Sequence, residues 1–175
     1  MMLAIGKFAA GAATRQISRW RFQLLEPLVF NDPEHGQLTV PETFVSDLAS
    51  VRVLREICRW AALAAVVLGL FLTSITWLAS AMWLLAVGAL ALYGLVVGYG
   101  MRAAILHDYL YATALLPRVQ CDDVFSRAMH TGDGTARWRT WLFWAGVRLG
   151  GSGHYGATSL ECKCCHGQDQ SKIRH

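Results

Sequence analysis

Across 42 consecutive residues, Trp60 to Met101, the sequence contains no Asp, Glu, Lys, Arg or His. The remaining 133 residues hold all 28 Asp, Glu, Lys and Arg side chains, so the low charge of the 175-residue chain is a local deficit. A polar domain carrying one very apolar insert fits this pattern. Disorder, a coiled coil, collagen and a wholly soluble single core do not. Lysine is scarce as well, 3 against 13 arginines. The net charge of +4 is not gathered into a basic cluster with interleaved aromatics, which argues against nucleic acid as a partner. There is no GxSxG elbow, no P-loop and no HExxH, so those enzyme classes have no support. Cys58, Cys121, Cys162, Cys164 and Cys165 are odd in number and lack a spaced framework, unlike a disulfide-stapled secreted fold. Met1 to Ala13 is small and apolar around Lys7, without the charged start and compact apolar core of a cleaved export signal.

The charge-free block is too long for one membrane span, which needs about 20 apolar residues, and suits two. The predicted spans are Trp60 to Trp77 and Ala81 to Tyr99, with a turn near Leu78, Ala79 and Ser80. Gly69, Gly88, Gly94 and Gly98 would let the helices approach closely. Trp60, Trp77, Trp83 and Tyr99 fall near the expected interfaces. Arg52, Arg55 and Arg59 precede the block and Arg102 follows it, which predicts that both ends are cytoplasmic. The alternative, a helical hairpin buried in a soluble core, would demand more covering surface than a chain of this size offers.

Upstream, Trp20 to Phe30 reads as a strand, residues Asn31 to Gly36 as a turn and Gln37 to Val40 as a return strand, giving a β-hairpin. Asp47, in Phe44-Val45-Ser46-Asp47-Leu48-Ala49-Ser50-Val51, is a short acid among apolar neighbours. It reads either as a turn former or N-cap for a helix starting near Ala49, or as a ligand or brace at a site.

Downstream of the block, His107 and Tyr111 are four apart and share a helical face, while Asp108 points about 100° away. A second helix is predicted from Pro117 to about Met129, bearing Asp122, Phe125 and Met129. If the first helix breaks near Thr113, His107 and Asp122 lie roughly 9 and 7.5 Å from the turn. In an antiparallel pair they are therefore nearly level. Asp122 could then orient the imidazole of His107 as a general base, with Tyr111 on the same carboxylate. Asp108 would be free to ligate a hard cation such as calcium. The plainer alternative is a His-Asp-Tyr network that only locks two helices together.

Several separate motifs occur in the order seen in a phage and prophage family catalogued as domain of unknown function 1353, which the chain resembles. They are Leu24-Leu25-Glu26-Pro27, Thr39-Val40-Pro41, the Phe44–Val51 segment, His107-Asp108-Tyr109-Leu110-Tyr111, and residues Asp122 to Met129. The resemblance runs from Trp20 to Tyr155 apart from the apolar block, which stands as an insertion. Arg52 replaces a proline typical of the family. More distantly, His107-Asp108-Tyr109-Leu110-Tyr111 followed by Cys121-Asp122-Asp123-Val124-Phe125 is similar to the HDxxY…ADxxF core of phospholipases of the A-two class, above all the version in parvovirus capsids. That resemblance implies His107, Asp122 and Tyr111 as the catalytic set, a phospholipid substrate, and calcium as cofactor with Asp108 as a ligand. The Gly-rich calcium loop of those enzymes is missing before His107; the segment around Asp47 would have to replace it.

Thr135 to Leu149 reads as an amphipathic helix, either interfacial or packed on the helix pair. Cys162, Cys164, Cys165 and His166 lack paired zinc-ligand spacing and read as a free tail. The expected fold is α+β and mainly helical. It comprises an N-terminal segment (1–19), one domain (20–156) interrupted by a two-helix transmembrane hairpin, and a Cys-rich tail (157–175). The expected protein is a two-pass bacterial inner-membrane protein of phage type. The rival expectations for its role are a phospholipid hydrolase and a non-catalytic structural or accessory protein.

Overall fold

The computed structural model describes residues 5–151 and 155–156 and is α+β, mostly helical. The N-terminal third holds five short strands: β1 (Thr14–Ser18), β2 (Arg21–Leu24), β3 (Leu28–Asp32), β4 (Gly36–Val40) and β5 (Val45–Ser46). β3 and β4 form the antiparallel hairpin expected from the sequence, in register from Leu28 opposite Val40 to Asp32 opposite Gly36. The strand read as continuous from Trp20 to Phe30 is in fact two, β2 and β3, separated by Leu25-Glu26-Pro27. Pro27 has no N–H to offer a ladder. β2 instead pairs with β1 on one side and β5 on the other. The segment set apart as residues 1–19 joins the same core from Gly6 onward. Gly6 N–H donates to the Asn31 carbonyl at 2.7 Å, and the Phe8 ring packs 4.9 Å from that of Phe30.

Five α-helices follow: α1 (Ala49–Phe71), α2 (Thr76–Val96), α3 (Met101–Thr113), α4 (Arg118–Arg127) and α5 (Arg137–Gly150), with a π-helical turn at Ala128–Gly132 after α4. α3 and α4 are the expected antiparallel pair, and Pro117 caps α4. The core lies where α3 and α4 meet the strands, around Phe30, Ile105, Leu106, Leu110, Phe125 and Met129.

α1 and α2 form an apolar hairpin, but its turn lies at Leu72–Ile75 rather than near Ala79. α1 begins in the polar segment, so its first three turns carry Arg52, Arg55, Glu56 and Arg59. Its charge-free part from Trp60 to Phe71 rises only about 18 Å, short of the ~30 Å of a hydrocarbon core. Among the described residues, α2 is the one helix long and apolar enough to cross a membrane. The seam between the two is made of alanines: Ala62, Ala65, Ala79 and Ala86 are all buried. Of the four glycines expected to mediate close contact, Gly69 does so, since a Cβ there would lie 3.3 Å from Trp83 Nε1, whereas Gly88, Gly94 and Gly98 face open space. Large apolar side chains point outward from both arms, among them Leu70, Phe71, Trp77, Leu84, Val87 and Leu90.

The helix does not run on from α2 into α3. Val97 is extended, and Gly98 and Gly100 have φ of +85° and +75°. At Gly100 a Cβ would also stand 2.8 Å from Met129 Cε. Gly100→Ala is therefore expected to destabilise the fold by about 2 kcal/mol through the left-handed backbone alone, with overpacking added. The urea-unfolding midpoint reads this directly.

Candidate functional site

α3 turns His107 and Tyr111 toward α4, where Asp122 meets both. His107 Nε2 is 3.1 Å from Asp122 Oδ1, and the Tyr111 hydroxyl donates to the same oxygen at 2.5 Å. The other carboxylate oxygen accepts from Arg148 Nη1 of α5 at 3.1 Å. The three residues that the sequence placed together are together, in the register expected of the helix pair. They are also buried: Asp122 is fully covered and His107 is 3% exposed. The Tyr111 and Phe125 rings flank the imidazole, with centroids 4.1 and 4.8 Å away.

The electrostatics follow from this packing. Burial alone would push the Asp122 carboxyl up, but the hydrogen bonds from His107, Tyr111 and Arg148 outweigh it and hold the group below its ordinary value. Asp122 is thus a carboxylate, and the ring hydrogen of His107 facing it sits on Nε2. Burial and the bond to Asp122 drive the Tyr111 hydroxyl well above its usual range. Burial, aided by the Asp122 charge, lifts the Cys121 thiol to about 11, so it is no nucleophile.

The opposite ring nitrogen carries the unforeseen feature. His107 Nδ1 lies 2.7 Å from Ser50 Oγ, in the first turn of α1. Ser50 Oγ donates to Asp108 Oδ1 at 2.8 Å, and Ser46 Oγ donates to Asp108 Oδ2 at 2.5 Å. Both Asp108 oxygens are therefore engaged by serines. Burial raises the Asp108 carboxyl despite those bonds and the nearby imidazole. Asp47 stands apart from this cluster. Its Oδ1 accepts from Ala49 N–H at 3.1 Å and its Oδ2 lies 3.9 Å from Arg52, so it shapes the start of α1. Sequence reasoning missed Ser50, Ser46 and Arg148. The available signal was Ser50 lying three residues after Asp47 in a motif already singled out.

A second polar centre ties the strands to α4. Buried Asp32 accepts from Arg127 Nε at 2.8 Å and Arg127 Nη2 at 3.0 Å, and from the backbone N–H groups of Glu34 and His35. Asp32, Glu34 and His35 are the one trio among the described residues close enough to share a metal ion. The Arg127 guanidinium already supplies their positive charge, bonding Asp32 and Glu34. Arg102, read from the sequence as a membrane-flanking cation, turns inward instead and donates to Asp133 Oδ1 at 2.6 Å. The Cys162, Cys164, Cys165 and His166 group lies outside the described residues.

Residues 88–147 match the model of a family described as a protein of unknown function (DUF1353). The matched stretch contains His107, Asp108, Tyr111 and Asp122, and stops short of Ser46 and Ser50. No curated protein and no solved structure matches the chain.

Proposed function

We propose that this is a membrane-seated hydrolase of phospholipid acyl esters, of phage type, with His107 as its general base. The observation that carries this reading is the double engagement of one imidazole. Nε2 is fixed on the Asp122 carboxylate, and Nδ1 faces a hydroxyl at 2.7 Å. An imidazole so oriented takes up a proton at Nδ1 and returns it. For the lipid substrate, an open groove of about 450 Å³ runs along the outside of α1 past Asp47, Arg52, Val53, Glu56 and Ile57 to Trp60 at the start of the apolar arm; His107 and Ser50 do not line it. The outward-facing apolar side chains of α1 and α2 would enter the bilayer. Trp138 and Trp141, exposed on α5, and Tyr99, stacked by Arg139 at 3.8 Å, would lie at its surface. Because α1 carries charge in its first turns, the reading is a hairpin seated in the bilayer, with both ends of the chain on one side. Calcium plays no part in this reading, since the Asp108 oxygens are already satisfied within the protein.

The test is fatty-acid release from vesicles of bacterial phospholipids by the purified chain. His107→Ala is expected to lower the rate by about 10³-fold. A calcium chelator is expected to leave it within twofold. Release unchanged in His107→Ala would sink the hydrolase reading.

The burial of the whole network favours a second reading, in which His107, Asp122 and Tyr111 only brace α3 against α4 in a structural or accessory membrane protein. Under it the wild-type chain releases no fatty acid, and His107→Ala lowers the melting temperature alone.

A further inference from the structure

We infer that Ser50 is the nucleophile, forming an acyl-serine intermediate. The inference rests on the hydrolase reading above and replaces attack by a free water molecule with attack by this hydroxyl. Three independent observations converge on it.

The first is the direction of the base. Asp122 takes the Nε2 side of His107, so Nδ1 is the nitrogen left to accept a proton, and the side chain hydrogen-bonded to Nδ1 is Ser50. The place a nucleophilic water would need is filled by Ser50 Oγ. The sequence order Ser50, His107, Asp122 and the chain of bonds Oγ–Nδ1, Nε2–Oδ1 make a hydroxyl–imidazole–carboxylate relay.

The second is the backbone beneath Ser50. β5 passes to α1 through Asp47 and Leu48, and Leu48 has φ +55°. A bulky non-glycine residue in this region costs of order 1–3 kcal/mol and is found where surroundings hold it for a purpose. Here Ser46 Oγ accepts from Leu48 N–H at 3.1 Å, and the buried Leu48 side chain anchors the turn. The strained residue is Leu48, two positions before Ser50, and the turn it makes sets Ser50 in the first turn of α1.

The third is the field at that point. Ser50 lies in the first turn of a 23-residue helix, where the backbone amides carry partial positive charge. The Ala49, Val51 and Arg52 N–H groups are already bonded to Asp47 Oδ1 and the Leu48 carbonyl, so the aid to an oxyanion beside Ser50 is the field of the helix end and not a free amide. Ser50 is half-buried, unlike the sealed His107. The Ser50 hydroxyl donates to Asp108 Oδ1 at 2.8 Å, so its one hydrogen must turn from Asp108 to His107 Nδ1, 2.7 Å away, before the relay acts; Asp108 is thereby a positioning residue.

The chemistry balances without a further reagent. Ser50 Oγ bonds to the acyl carbon while its proton passes to His107 Nδ1. The ester C–O bond breaks, and the leaving alcohol takes that proton. Water then adds to the acyl carbon and gives a proton to Nδ1. The acyl–Oγ bond breaks, Ser50 recovers the proton, and the free acid leaves.

The test treats the full chain in vesicles with a fluorophosphonate, which reacts with activated serines, and maps the adduct by mass spectrometry. One adduct is expected on Ser50 in the wild type, with labelling slowed at least tenfold in His107→Ala. Ser50→Ala is expected to lose fatty-acid release about 10³-fold. Ser50→Cys guards against a folding defect, because its thiol is expected to react with iodoacetamide at pH 7 in a His107-dependent manner. Release retained in Ser50→Ala but lost in His107→Ala overturns the inference and leaves water as the nucleophile. A wild-type chain that releases nothing yet labels on Ser50 removes the phospholipid and keeps the nucleophile. Absence of any Ser50 adduct in the wild type overturns the inference outright.

Discussion

Replacing Asp122 with alanine is expected to cost about 3 kcal/mol of stability, because the buried His107 and Tyr111 donors lose their acceptor where water does not reach, while the partly exposed Arg148 loses less. His107, Tyr111 and Arg148 all converge on this one fully buried carboxylate. In a chain of this size a loss of that magnitude lowers the melting temperature by roughly 10 °C. Asp122→Asn keeps one oxygen acceptor and the side chain's shape, and should lose about half as much. The pH dependence separates the charge from the packing. The folded Asp122 carboxyl lies below its ordinary value, so its contribution is fully present above about pH 4 and is lost as the pH falls through the folded value. Asp108 runs the other way. Its folded value is raised, so the stability it contributes is present at low pH and lost as the pH rises through that value. Urea melts from pH 2 to 7 should therefore show a shallower acid limb in Asp122→Ala than in the wild type. Parallel limbs would mean that Asp122 is not the charged partner described.

Arg127→Met is the second large effect, expected at about 3–5 kcal/mol. It removes the guanidinium that makes two bonds to Asp32 and leaves that carboxylate buried without its counter-charge, held only by the hydrogen bonds of Glu34 and His35. Burial already opposes the charge on Asp32, and the bonds from Arg127 and His35 are what hold its carboxyl below the usual range. Without Arg127 the balance reverses, and the deficit should shrink on acidification as Asp32 takes up a proton. The double variant Arg127→Met with Asp32→Asn is expected to recover more than half of the loss. If it recovers nothing, the pair is not the origin of the cost.

Much of the helical half was legible in the sequence, because the relevant signals are local. The spacing of His107 and Tyr111, the break near Thr113 and the cap at Pro117 fix the α3–α4 register without reference to anything distant. The start of α1 was legible as well, because Asp47 marked a helix beginning near Ala49, where it does begin. What charge and hydropathy did not show is that this helix and the apolar arm from Trp60 are one continuous element, so the charge-free part of α1 is only its second half. Ser50 was invisible for a different reason. Its bond to His107 spans 57 positions and depends on β5 pairing with β2, which no local pattern announces. Arg148 carried no signal of its own in a helix that read equally as interfacial or packed, yet its guanidinium reaches inward to Asp122.

Ser50 and Phe71 stand near opposite ends of one uninterrupted helix. That makes α1 a lever about 34 Å long. Rotation by about 5° around its midpoint displaces each end by roughly 1.5 Å, enough to break a hydrogen bond of ordinary length. The contact between Ser50 and His107 is therefore mechanically tied to whatever the apolar tip rests against. A displacement of about 1 Å at a reacting centre costs on the order of 10²-fold in rate. Under the proposed function, the thickness of the layer that receives the tip would then control the alignment of Ser50 with His107 from a full helix length away.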